Sequence, residues 1–252
     1  MVQRDDVMKH LDVLLEIEGV DDYCPNGLQV QGCAEVERIA TGVTASLAFI
    51  EEAVAAGAQL LVVHHGILWR GQSHVLSGHF KKRVKALLDA DVTLLAYHLP
   101  LDRHAEVGNN APALHDLGAF DLEPFAPHGG ACVGWKGRFQ TPLAPGELLE
   151  RLRGYYGSEP TAFMEGPEEI RTIGLVSGAA QRDVETAVSE GLDAFVTGEI
   201  SEFNPHLARE EGIHHFSVGH HASERIGPRR LADHLADFFG IDATFIDVPN
   251  PV

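Results

Sequence analysis

Gln59-Leu60-Leu61-Val62-Val63-His64 sets four apolar residues between polar ones. The run is too short for a helix and too uniformly apolar for a strand with one wet face, so it reads as a strand buried on both sides. Working outward, residues 38–43 read as an earlier strand and 46–56 as the helix between the two, closed by Gly57. On the other side, 80–90 read as a helix with Val84, Leu87 and Leu88 on one face. Residues 91–97 read as a third strand and 109–117 as a helix ending at Gly118. Strands alternating with helices of this length form βαβ units, so the fold class is α/β with mainly parallel or mixed sheets.

Residues 120–130 carry Pro124, Pro127, Gly129 and Gly130 and read as a linker. Beyond them the alternation resumes. Strands are expected at 132–139, 170–177, 193–197, 214–218 and 243–246, and helices at 145–155, 180–190, 205–211 and 222–239. The second half echoes the first. Ala53-Val54-Ala55-Ala56-Gly57-Ala58-Gln59 parallels Ala187-Val188-Ser189-Glu190-Gly191-Leu192-Asp193. Each then runs into an apolar strand ending in a polar pair, His64-His65 or Gly198-Glu199. Two similar α/β lobes follow from this duplication.

The 252 residues are 44% hydrophobic and 22% charged, an ordinary globular composition. Lys and Arg number 19 against 37 Asp and Glu, a formal net charge of −18. That balance argues against nucleic acid, which needs a basic face, and against an anionic membrane surface. It is compatible with a small anionic substrate if metal ions supply positive charge. Cys24, Cys33 and Cys132 form no CxxC pair and fit neither a disulfide framework nor a thiolate zinc site. A reduced, cytoplasmic setting is expected. Residues 1–19 hold no apolar signal core, and the longest apolar runs are strand-sized, far short of a membrane span.

In open α/β sheets ligands bind outside the carboxyl ends of the strands. His64 and His65 stand at one such end, where Gly66 lets the chain turn. His98-Leu99-Pro100-Leu101-Asp102 follows another. A third ends at Gly219, with His220 and Glu224 four apart on one helix face. Three imidazoles and two carboxylates suit a borderline metal: zinc, iron, manganese, cobalt or nickel. Five protein ligands exceed what one open catalytic zinc takes, whereas with a bridging carboxylate they suffice for two ions. By contrast, His214-His215 lies within its strand and reads as structural. Ser177-Gly178 is a weaker candidate, an anion site before a helix. Lys81-Lys82-Arg83 reads as a solvated helix face.

Four segments occur in order: Val62-Val63-His64-His65-Gly66, His98-Leu99-Pro100-Leu101-Asp102, Thr197-Gly198-Glu199-Ile200-Ser201 and Gly219-His220-His221-Ala222-Ser223-Glu224-Arg225. Pro25-Asn26-Gly27-Leu28-Gln29-Val30 precedes them. With these motifs the chain resembles the GTP cyclohydrolase 1 type 2 homologues, also called Nif-three-like dinuclear metal-centre proteins, over essentially its whole length. The resemblance implies a two-lobed Nif-three-like fold, assembled as a toroidal homohexamer with two divalent transition-metal ions per chain. The first lobe is expected at 1–123 plus 221–252 and the second at 124–220, with the metal site between them. The family's ligands fall on His64, His65, Asp102, His220 and Glu224, the last bridging. His98 is expected to move protons beside them, and Glu199 is a comparable candidate. A metal-dependent hydrolase acting on a nucleotide-like or phosphoester substrate is then the first expectation. A non-enzymatic hexameric metal-binding scaffold or regulatory partner is the rival, and turnover distinguishes them.

Overall fold

The computed structural model describes all of residues 1–252. The chain divides into two compact units, Met1–Leu101 with Gly227–Pro249, and Asp102–Ile226 with Asn250–Val252. Division falls at 101/102 and 226/227, not at the 123/124 and 220/221 expected.

The first unit begins with β1 (Val2–Gln3), α1 (Arg4–Leu14), β2 (Gly27–Val30) and β3 (Glu35–Val36). The alternation read from sequence follows as β4 (Arg38–Thr44), α2 (Leu47–Ala55), β5 (Leu60–His65), α3 (Gly78–Asp89) and β6 (Thr93–Ala96). The short α4 (Leu99–Arg103) leads into the second unit. That unit holds α5 (Ala111–Asp116), β7 (Ala119–His128), β8 (Ala131–Leu143), α6 (Pro145–Tyr156), β9 (Thr161–Met164) and β10 (Ile170–Val176). It continues with α7 (Val184–Ser189), β11 (Ala194–Thr197), α8 (Asn204–Glu211), β12 (His214–Ser217) and α9 (His220–Ser223). From α10 (Ile226–Phe239) the chain returns to the first unit and ends in β13 (Asp242–Phe245).

The first sheet runs β13-β4-β5-β6-β2. Its first four strands are parallel and β2 is antiparallel to β6. Leu60, Leu61, Val62 and Val63 are all buried, as their unbroken apolar run requires. Leu61, Val63 and Leu94 pack with Phe49 and Ile50 of α2. The helix α2 starts where the Ser46 side chain accepts from Phe49 N. In α3, Phe80 and Leu87 are buried and Val84 is packed on the core, but Leu88 is exposed. It lies one residue round from the stripe those three define.

The second sheet runs β7-β8-β10-β11-β12-β9. Three central strands, β10, β11 and β12, are parallel, and β8, β7 and β9 add antiparallel edges. Leu175, Val196 and Phe216 pack with Leu148 and Leu152 of α6. The expected linker at 120–130 is not one. It is most of β7, and Gly129 and Gly130, both at positive φ, turn it tightly into β8. Its prolines are tolerated because β7 is an edge strand. The helix expected at 222–239 is broken into α9 and α10, with Glu224 and Arg225 at the break. No helix is long and apolar enough to cross a membrane.

Candidate functional site

In the first unit β5 ends on His64 and His65, and β6 is closely followed by His98. Their rings gather, with centroids 4.5 Å apart for His64–His65, 5.0 Å for His64–His98 and 5.5 Å for His65–His98. One ligand nitrogen from each lies within 4.8 Å of the others. Each ring is oriented through Nδ1. That of His64 is 3.2 Å from Tyr97 O, that of His65 3.2 Å from Thr44 Oγ1, and that of His98 2.7 Å from Asp22 Oδ1. Fixing Nδ1 in this way leaves Nε2 as the remaining nitrogen of each ring: on His64 and His65 the one that could meet an ion, the arrangement common around metal-ligating histidines, and on His98 the one that could exchange a proton.

The segment preceding β2 supports this cluster. Asp22, buried, also accepts from Cys24 N and Asn26 Nδ2 and from Leu99 N. Burial pushes its carboxyl up. The His98 hydrogen bond and charge, with the Asn26 and Cys24 donors, more than offset that and hold it well below the usual carboxylate range. Asn26 Oδ1 accepts from His98 N at 2.8 Å. Gln29 Oε1 accepts from Ile67 N at 2.8 Å and Leu68 N at 3.2 Å, shaping the turn after His65. A Cβ on Gly66 would stand 2.3 Å from that oxygen, so glycine is what admits the Gln29 amide. Trp69 then lies edge-on to His98, centroids 5.2 Å apart.

In the second unit His220 is held at both ends. Its Nδ1 is 2.6 Å from Glu199 Oε1 and its Nε2 3.1 Å from Glu224 Oε1. Burial pushes this imidazole down, and the Glu224 and Glu199 carboxylates more than offset it, raising it to about 9. Two carboxylates around one ring call for a cation, which a proton or a metal ion can supply. Glu224 lies against the turn after β10. A Cβ on Gly178 would stand 2.4 Å from Glu224 Oε1 and 3.3 Å from His220 Nε2, at φ +68. Gly178 N donates to Ser223 Oγ at 2.9 Å and Ser177 N to Asn110 Oδ1 at 2.8 Å. That turn is therefore packed structure, not the anion site considered from sequence. Asp102 Oδ1 accepts from Ser177 Oγ at 2.7 Å and Asn109 Nδ2 at 2.8 Å.

Of the residues expected from sequence, His64, His65 and His98 form one cluster, and His220, Glu224 and Glu199 form another. Asp102 is bonded to Ser177, on the turn that adjoins Glu224. The donor types, imidazole and carboxylate without thiolate, fit a borderline divalent metal. Asp22, Asn26 and Gln29 escape sequence reading as site residues, although the Pro25–Val30 motif encloses two of them. They act through hydrogen bonds from an irregular segment, which has no periodicity to read.

Residues 2–251 match the family model for Duf34/NIF3 (NGG1p interacting factor 3). A Pseudomonas aeruginosa protein named GTP cyclohydrolase 1 type 2 homolog is 42% identical over 246 residues, 97% of either chain. The Escherichia coli protein of that name is 42% identical over 241 residues, 94% of either chain. Among solved structures, protein ybgI, described as of unknown function, covers 100% of both chains at TM-score 0.94 and 38% identity. TTHA1606 from Thermus thermophilus does so at 0.91 and 34%. Reduced HcgD from Methanocaldococcus jannaschii, at 0.86 and 20% identity over 98% of each chain, shares the fold. With whole-length matches in sequence and in architecture, and with the motifs at the strand ends in place, the chain belongs to the Duf34/NIF3 family.

Proposed function

We propose that this protein is a metal-dependent hydrolase. In this reading His64, His65, Asp102, His220 and Glu224 hold two divalent transition-metal ions, with Glu224 bridging. The observation that carries it is the gathering of His64 and His65, with Nδ1 already tied to Tyr97 O and Thr44 Oγ1, beside His98, whose Nδ1 is tied to Asp22. Ions bound there supply Lewis acidity and a water of lowered pKa. The chain's own part is orientation. Tyr97 O and Thr44 set the two histidine rings, and Glu199 sets His220. Asp22 fixes His98 through Nδ1, so its Nε2 is the atom that takes or returns a proton on a bound substrate. A nucleotide-like substrate accords with the relatives' name, GTP cyclohydrolase 1 type 2 homolog. The net charge of −18 leaves attraction of an anion to the ions.

Elemental analysis tests this on protein purified without chelator and again after refilling with zinc, iron(II) or manganese. About two ions per chain are expected, and a value near zero after refilling overturns the reading. A screen of nucleotides and phosphodiesters follows. A loaded protein inert to all of them favours the non-enzymatic scaffold. Assembly as a homohexamer in the cytoplasm belongs to the same proposal, and the mass in solution checks the assembly.

A further inference from the structure

Asn109 and Asn110 stand side by side just ahead of α5, and both are fully buried. They take hold of Asp102 in different ways. Asn110 grips backbone. Its Nδ2 is 3.2 Å from Asp102 O and 2.8 Å from Val133 O, and its Oδ1 accepts from Ser177 N at 2.8 Å. Asn109 Nδ2 donates instead to the carboxylate itself, and to the same oxygen, Oδ1, that Ser177 Oγ reaches. We propose that Asn109 and Ser177 are positioning residues that make Asp102 a ligand through Oδ2 alone, and so a terminal ligand and not a bridge. The proposal rests on the metal reading above for the ion and on these hydrogen bonds for the choice of oxygen.

A carboxylate oxygen offers about two lone-pair directions to donors. With Asn109 Nδ2 at 2.8 Å and Ser177 Oγ at 2.7 Å, Asp102 Oδ1 has both engaged. Bonds to an ionised acceptor are short and strong. Asp102, Asn109 and Ser177 are all buried, so bulk water does not compete for that oxygen. An ion drawing on Oδ1 has to break one of two buried hydrogen bonds, which costs more than breaking a solvated one. The two donors stand 7 and 75 residues along the chain from Asp102, so they approach from separate segments and fix the rotation of the carboxyl group. Glu224 is placed differently. Its Oε1 lies 3.1 Å from His220 Nε2, ligand atom against ligand atom. The turn that carries Ser177 also abuts it, through Gly178. A bridge through both oxygens is closed to Asp102, and of the two carboxylates it therefore falls to Glu224.

Titration of chelator-stripped protein with cobalt(II), followed by visible absorption, tests this, because the absorption of bound cobalt weakens as its coordination number rises. Ser177→Ala removes one donor from Oδ1, so Asp102 should close on the ion with both oxygens. The absorption should weaken and the affinity fall about tenfold. Ser177→Thr keeps the hydroxyl and should restore both. Asn110→Ala loosens backbone but spares the donors to Oδ1. It should lower the denaturant midpoint and leave the spectrum of the folded, loaded protein like the parent's. An unchanged spectrum and affinity in Ser177→Ala overturn the proposal. So does a loss in Ser177→Thr or a spectral change in Asn110→Ala equal to that in Ser177→Ala. If Ser177→Ala does not fold, Asn109→Ala removes the other donor to Oδ1 and is read in the same way. The two readings fail in different measurements. A parent that binds cobalt no differently from Ser177→Ala overturns the choice of oxygen alone. A parent that takes up no cobalt overturns the metal reading, and the positioning roles with it.

Discussion

The two units are built on one plan, β4-α2-β5-α3-β6 in the first and β10-α7-β11-α8-β12 in the second. At the amino ends they match closely. Gln59 Oε1 accepts from Glu37 N and Arg38 N, and Asp193 Oδ2 accepts from Arg171 N and Thr172 N. The residue just ahead of the second strand thus fastens the start of the first in both units. At the carboxyl ends they diverge. The strand β5 runs into His64 and His65, which present imidazoles directly. The strand β11 runs into Gly198 and Glu199, whose N–H groups both donate to Gly178 O. A Cβ on Gly198 would stand 2.6 Å from that oxygen. There the strand end offers a carboxylate that supports an imidazole from α9. Duplication is thus kept where strands start and given up at the carboxyl ends, where the candidate site residues stand.

The largest effect should come from the carboxylate that has no counterpart in the first unit. Glu224→Ala should lower metal affinity by more than about a hundredfold and empty both sites. Retention of both ions on elemental analysis would remove the bridge from the proposal. Next is the turn that only the second unit closes with a left-handed glycine against a candidate ligand, Glu224. Gly178→Val should cost about 3–4 kcal/mol, from backbone strain and the clash with Glu224. A denaturant midpoint unchanged from the parent would show the turn to be pliable.

Two fully buried histidines extend the comparison. In the first unit His64 is tied to Tyr97 O, whereas in the second His215 lies between Phe163 and Phe195 with neither ring nitrogen partnered. Burial lowers His215 to about 4. Its unfolded value is ~6.5, so the neutral ring favours the fold fully above that pH. The advantage falls away as pH drops towards 4, by about 3 kcal/mol in all. Urea midpoints at about pH 7 and about pH 4.5 should therefore differ more for the parent than for His215→Phe, and equal acid sensitivity would sink the assignment. Smallest are the two strand-start fasteners. Asp193→Ala should cost about 2 kcal/mol and Gln59→Ala about 1, because Asp193 is charged and Thr172 Oγ1 also donates to it. The reverse order in chemical denaturation would mean the matched ends are not equivalent.

What the sequence discloses follows the same division. Uniform apolar runs such as Leu60–Val63 mark central strands, and polar pairs after them mark ligand candidates, because both signals are local. Strand β7 reads as a linker, since Pro124, Pro127 and paired glycines signal a break unless the strand is known to be an edge. Trp69 has no role that spacing displays. What the structure adds is its edge-on contact with His98. The function of Asp22 and Gln29 is equally hidden, since each acts across tens of residues through hydrogen bonds.

That proline-bearing edge strand has a bearing on life in a crowded cell. A sheet edge is a template on which another chain's strand can add. Along β7, Pro124 and Pro127 have no N–H to offer, and Ala126 between them sits at φ 56, turning the backbone out of pleat. A stray strand arriving there finds an interrupted row of donors. The features that make 120–130 look like a break thus guard one flank of the second sheet against aggregation.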